Sequence, residues 1–123
     1  MAQSRLVYVA GPYTSSVEAQ RRVRLERVKA VAAKYARRGD VVIPWWVGVD
    51  PTVQETPDIR GRGIDENLVV IRRMVQSAAC GLAADAVFVV AVARSAGVQV
   101  ELEEYIDACR EYGHEPVLIF EEA

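Results

Sequence analysis

The chain has 123 residues and a formal net charge of -2, with 51% apolar and 26% charged residues. That length is common for one domain, and the composition is that of an ordinary globular protein. The charge balance offers no basic footprint for a nucleic acid polymer. No segment approaches the ~20 apolar residues of a membrane span. A single histidine, His114, leaves no metal-ligand spacing, so neither a metal nor a cofactor is expected.

Leu6–Ala10 (LVYVA) is an apolar run rich in β-branched and aromatic residues, as in a strand buried on both faces of a parallel sheet. It is too short for a signal peptide and meets Gly11-Pro12 at once, so a cytoplasmic protein is expected. Ser15 with Glu18 three residues on has the pattern of a capping box. A long helix follows to about Arg38. Leu25, Val28, Val31, Ala32, Tyr35 and Ala36 recur along it at helical spacing, and Gly39 suits its C′ position. Its many basic residues read as a solvated face, with Arg21 or Arg22, near the start, as the ones placed for ligand contact.

Val41–Pro44 reads as a second, short strand. Trp45–Gly63 reads as a long polar loop, broken by Gly48, Pro51, Pro57, Gly61 and Gly63, and is expected to act as a flap. Trp45 and Trp46 open it just past a strand end, where an indole can stack on a planar ring or serve as a core aromatic. Ile64–Gly81 reads as a helix, Ala84–Ala93 as the most apolar strand, Gly97–Tyr112 as a helix ended by Gly113, and Pro116–Phe120 as the last strand. Cys80 and Cys109 sit in apolar helical patterns and read as small buried hydrophobes. Helices between strands predict right-handed crossovers and a parallel sheet of four or five strands. The expected fold is a single three-layer, doubly wound α/β domain over 1–123, Rossmann- or flavodoxin-like.

Chemistry is expected at Ala91–Glu104 (AVARSAGVQVELEE), where the most apolar strand gives way to a polar turn and an acidic helix. In such folds ligands bind at the carboxyl ends of strands, against helix N-termini. Ser95 and Gly97 lie in the turn. Glu101 follows on the helix face shared with Val98, Tyr105 and Ala108. Near a helix N-terminus the dipole favours the ionised carboxylate, and a carboxylate at a pocket rim can attack an acetal-like carbon. From pattern alone it is equally an acidic residue complementing the dipole. The dinucleotide fingerprint, the P-loop and the nucleophile elbow are all absent. Ser95 has no histidine partner except His114, whose position before the last strand points elsewhere.

YVAGPY in the first strand, ADAVFVV in the third, and Ser95-x-Gly97-x-x-x-Glu101 followed by GHEP and a strand together resemble the nucleoside 2-deoxyribosyltransferase-like superfamily over nearly the whole chain. The resemblance implies that Glu101 attacks C1′ of a nucleoside and forms a glycosyl-enzyme intermediate. It also implies that Tyr8, Gly11, Pro12 and Tyr13 line the base and sugar pocket. Relatives acting on free nucleosides carry an aspartate where this chain has Ser95; relatives that hydrolyse nucleoside 5′-monophosphates carry a serine. An aspartate repels a phosphate dianion, whereas a hydroxyl and backbone N–H groups near Gly97 donate to it. A nucleoside 5′-monophosphate substrate is therefore expected, with Trp45 or Trp46 over the base and hydrolysis favoured over base exchange. The family's usual aspartate before the third strand is missing, and Asp65 or Glu66 is the nearest substitute. That departure keeps three rivals open: a transferase acting on free nucleosides, a non-catalytic nucleotide-binding or sensor domain, and an NAD-cleaving glycohydrolase. The resemblance further implies a homodimer or homotetramer.

Overall fold

A computed structural model describes residues 3–91 and 95–121. The strands β1 (Leu6–Ala10), β2 (Val41–Ile43), β3 (Ala86–Ala91) and β4 (Val117–Glu121) form one sheet in the order β2-β1-β3-β4. Every pairing is parallel. The helices α1 (Glu18–Arg37), α2 (Pro57–Ala79) and α3 (Ala96–Tyr112) connect them. This is the small doubly wound α/β architecture expected from the alternation of strands and helices. The final residues of the expected third strand, Val92 and Ala93, and Arg94 of the turn lie outside the described residues.

Alternation along the strands builds two cores. Val7, Val9, Val87, Val89 and Ala91 point to one face, against Val28, Ala32 and Tyr35 of α1. Tyr8, Ala10, Ala86, Phe88 and Val90 point to the other, against Ile71 and Val75 of α2 and Val98, Leu102 and Tyr105 of α3. Right-handed crossovers in this strand order place α1 alone on one face and α2 with α3 on the other, and the contacts show that partition. Each fully buried valine or phenylalanine adds roughly 1.5–3 kcal/mol of transfer free energy.

Four local expectations are corrected. The Ser15–Glu18 capping box does not form: Val17 is the N-cap of α1 and no side chain caps it. The Ser15 hydroxyl instead accepts from the Val17 N–H and donates to Gln20 Oε1. The long loop is broken up. Trp45–Gly48 is a 3₁₀ helix, and α2 starts at Pro57 rather than Ile64, so only 49–56 is left as loop. Thr56 caps α2 by accepting from the Ile59 N–H, with Pro57 at the first helical position. Cys80 is exposed at the C-cap of α2, whereas Cys109 is buried as expected.

Candidate active site

The C-terminal ends of β1 and β3 lie level, with Ala10 opposite Val90. From there the chain leaves β1 toward β2 on one side and β3 toward β4 on the other. This divergence is the switch point at which open α/β sheets form their crevice. A cleft of about 760 Å³ opens there, lined among others by Gly11, Tyr13, Trp45, Ser95, Gly97 and Glu101. That volume suits a small organic ligand.

Glu101 is the only buried carboxylate among the described residues, at 9% exposure. It lies in the second turn of α3, whose first turn contains no acidic residue. The dipole argument for an ionised carboxylate is therefore overturned: burial dominates and pushes the Glu101 pKa up to about 7, opposed by a hydrogen bond from Tyr8. The Tyr8 hydroxyl donates to Glu101 Oε2. Among the described residues Oε1 takes no hydrogen bond, and Glu101 belongs to the cleft wall. One carboxylate oxygen is thus held from behind while the other is available to a ligand.

Tyr8 acts from the core and not from the wall. It is 0% exposed and stacks on Phe88 with ring centroids 5.7 Å apart. Its own hydroxyl is held far above the ordinary phenol range by burial, then by the Glu101 charge. The expectation that Tyr8 lines the pocket is corrected accordingly. Gly11, Pro12 and Tyr13 do line it. Gly11 is also a packing requirement, since a Cβ there would stand 2.6 Å from Val28 Cγ2 and 3.3 Å from the Ala91 carbonyl oxygen.

Ser95 is the N-cap of α3, its hydroxyl oxygen accepting from the Val98 N–H at 3.2 Å. That bond uses a lone pair and leaves the hydroxyl proton to donate. A Cβ on Gly97 would find only Ser95 Oγ, at 3.9 Å, so the space before this helix start is open. Trp45 lines the cleft and is locked by donation from Nε1 to the Val9 carbonyl at 2.7 Å. Trp46 packs edge-on against Trp45, in the α1-side core, and is not part of the cleft wall. Of the two indoles, only Trp45 is placed to meet a ligand.

Sequence reasoning missed several wall residues. Arg24, Glu55 and Asn67 line the cleft, as do Arg60 and Arg62 on the first turns of α2. Of the two substitutes suggested for the missing aspartate, Glu66 lines the cleft. Arg22 pairs with Glu18 on the surface, and Arg21 is buried. Thr56-Pro57-Asp58 was the readable signal for an early α2, because Thr at the N-cap, Pro next and an acid in the first turn mark a helix start. His114 accepts from the Ala86 N–H at the start of β3, at the opposite end of the strand from Ser95. No three His, Cys, Asp or Glu side chains among the described residues are grouped to hold a metal. No helix is long and apolar enough to cross a membrane.

Together these features define a doubly wound α/β protein with a buried carboxylate in its switch-point cleft. No protein-family model, curated protein or solved structure matches the chain.

Proposed function

We propose that this chain belongs with the nucleoside 2-deoxyribosyltransferase-like proteins it resembles, and that it cleaves the N-glycosidic bond of a nucleoside 5′-monophosphate. The observation that carries this reading is Glu101: a buried carboxylate beside a helix N-terminus, with Oε2 fixed by Tyr8 and Oε1 turned to the cleft. In the first step Oε1 bonds to C1′ as the C1′–N bond breaks. The base departs with the bonding electrons and takes a proton from an acid on the cleft wall, for which Glu66 and Glu55 are the candidates. In the second step water attacks C1′, the ester to Glu101 breaks, and the carboxylate is restored. The sum is monophosphate plus water giving free base plus sugar 5-phosphate. Two displacements at one carbon retain its configuration.

The pKa near 7 suits both halves of this cycle. A carboxylate of higher basicity is the better nucleophile, and enough of it is ionised at neutral pH to act. Ser95 supplies a hydroxyl donor and no charge to repel a phosphate, which favours the monophosphate over the free nucleoside.

The deciding experiment is base release from a panel of nucleosides and their 5′-monophosphates, with Glu101→Ala in parallel. Free base from a monophosphate, absent in the variant, is the expected result. Faster cleavage of free nucleosides than of their monophosphates would overturn the substrate assignment. No release from any member, with or without an acceptor base, would overturn the enzymatic reading. The homodimer or homotetramer implied by the resemblance is tested by sedimentation, where monomer alone at micromolar concentration counts against it.

A further inference from the structure

The cations of α1 fall into two groups. Arg22 pairs with Glu18 and Lys29 with Glu26, both on the solvent side. Arg21 and Arg24 differ from these. Neither makes an ion pair with an acid among the described residues, and each is spent on neutral backbone carbonyls. Arg21 is 4% exposed and donates from Nε to the Pro51 carbonyl at 2.9 Å and from Nη1 to the Ser15 carbonyl at 2.8 Å. Arg24 donates from Nη1 to the Thr14 carbonyl and lines the cleft. A spacing of three residues puts both on one helix face. Beside Arg21 stands the Tyr13 hydroxyl, the one buried side-chain polar atom without a hydrogen-bond partner among the described residues.

A guanidinium taken out of water is costly unless a counter-charge or a full set of acceptors replaces the solvent. Carbonyl oxygens satisfy N–H groups but leave the charge uncompensated. The acids nearest Tyr13 are Glu55 and Asp50. The Asp50 carboxylate is taken up by the Thr52 N–H and hydroxyl. Glu55 lines the cleft but pairs with neither arginine. This wall therefore holds two positive charges and an idle hydroxyl facing a ligand-sized space. The chemical class that complements it is a compact dianion with several acceptor oxygens.

We propose that Arg21, Arg24 and Tyr13 form an anion subsite on the α1 wall of the cleft that receives the phosphoryl group of the substrate. Arg24 is its direct ligand and Arg21 a fixed charge behind it. Ser95 and Gly97 belong to the same cleft and supply the remaining donors. The identification of the anion as a nucleotide phosphate rests on the function proposed above; the subsite itself rests on the charges.

The test uses thermal shift and titration calorimetry on the whole chain with inorganic phosphate, nucleosides and nucleoside 5′-monophosphates. The variants are Arg24→Gln, Arg24→Lys and a double Arg60→Gln/Arg62→Gln change. Circular dichroism on each establishes that the fold is kept. The expected result is that phosphate protects the wild type. Arg24→Gln should weaken monophosphate binding by roughly tenfold or more, as loss of a charge-assisted contact does, and leave nucleoside binding unchanged. Arg24→Lys should fall between, since it keeps the charge and loses the planar fork. The Arg60/Arg62 variant should still prefer the monophosphate. No protection of the wild type by phosphate overturns the subsite, as does equal loss of nucleoside and monophosphate binding in Arg24→Gln. Loss confined to the Arg60/Arg62 variant moves the anion to α2 and overturns it too. If phosphate binds through Arg24 yet no nucleotide releases base, the subsite stands and the glycosidase reading falls.

Discussion

The Tyr8 hydroxyl, on β1, donates to Oε2 of Glu101, on α3, ninety-three positions away in the chain. Tyr8 reaches Glu101 from the core face of the sheet, and no solvent competes for either group. The bond stabilises the ionised carboxylate while burial opposes it, and burial is the larger effect. The poise of Glu101 near neutrality is thus a balance that either partner can tip.

Tyr8→Phe removes the donor and keeps the ring that stacks on Phe88. The Glu101 pKa should then rise above about 7, because the interaction lost was one favouring the charged form. Base release should fall at pH 7 and recover at higher pH, with the rising limb of the kcat profile displaced to the alkaline side. A profile that drops uniformly without displacement would separate Tyr8 from Glu101. Loss of one buried hydrogen bond should lower stability by about 1 kcal/mol.

Glu101 also sets a pH dependence of folding. Its folded pKa, about 7, lies above the ordinary value of 4.5, so the native state binds this proton more tightly than the unfolded chain. Its favourable contribution is complete below the unfolded value and is lost as pH rises through the folded one. Glu101→Gln, neutral at every pH, should therefore match the wild type near pH 4 and exceed it at pH 8 by up to about 3 kcal/mol. Urea denaturation of both proteins across that range reads the difference directly. A constant offset would mean that Glu101 titrates normally.

The two glycines of the cleft should behave oppositely. Gly11→Ala places a Cβ 2.6 Å from Val28 Cγ2 and should destabilise the fold by about 1–3 kcal/mol. Gly97→Ala meets no close atom and sits in the first turn of α3, so stability should hold or rise slightly. The new methyl would, however, stand where the monophosphate is proposed to approach, raising KM for the monophosphate. Melting temperatures and KM values for the pair separate the two roles.

Trp45 lines the cleft and Trp46 does not. Ligand binding should therefore change the fluorescence of wild type and of Trp46→Phe, and leave Trp45→Phe silent. Trp45→Phe should also lose about 1 kcal/mol, for the Val9 carbonyl it leaves without its donor. A full signal in Trp45→Phe would place the ligand elsewhere.

What the sequence determined by itself was whatever depends on local pattern. Continuous apolar runs marked the strands, and 3.6-residue spacing marked α1, α3 and the second half of α2, because those segments bury a face against the sheet. The alternation of the two gave the parallel sheet, and with it the end of β3 as the place to look, so that Ser95, Gly97 and Glu101 were legible before any coordinates. The first turns of α2 were not, because Ile59–Gly63 borders an open cleft and carries no apolar stripe, only the Thr56-Pro57 start.

Tertiary structure alone decided the state of each group. The protonation balance of Glu101 comes from burial beneath two other elements, which no spacing along α3 encodes. Tyr8 became a partner of the carboxylate and not a wall of the pocket because strand alternation turned it inward to where α3 packs. Trp45 and Trp46 were indistinguishable as neighbours in sequence, and the 3₁₀ turn sent one to the cleft and the other to the core. Arg21 and Arg24 read as ordinary members of a basic helix, and only the packing of the 13–15 and 49–56 segments against α1 separated them from cations paired on the surface.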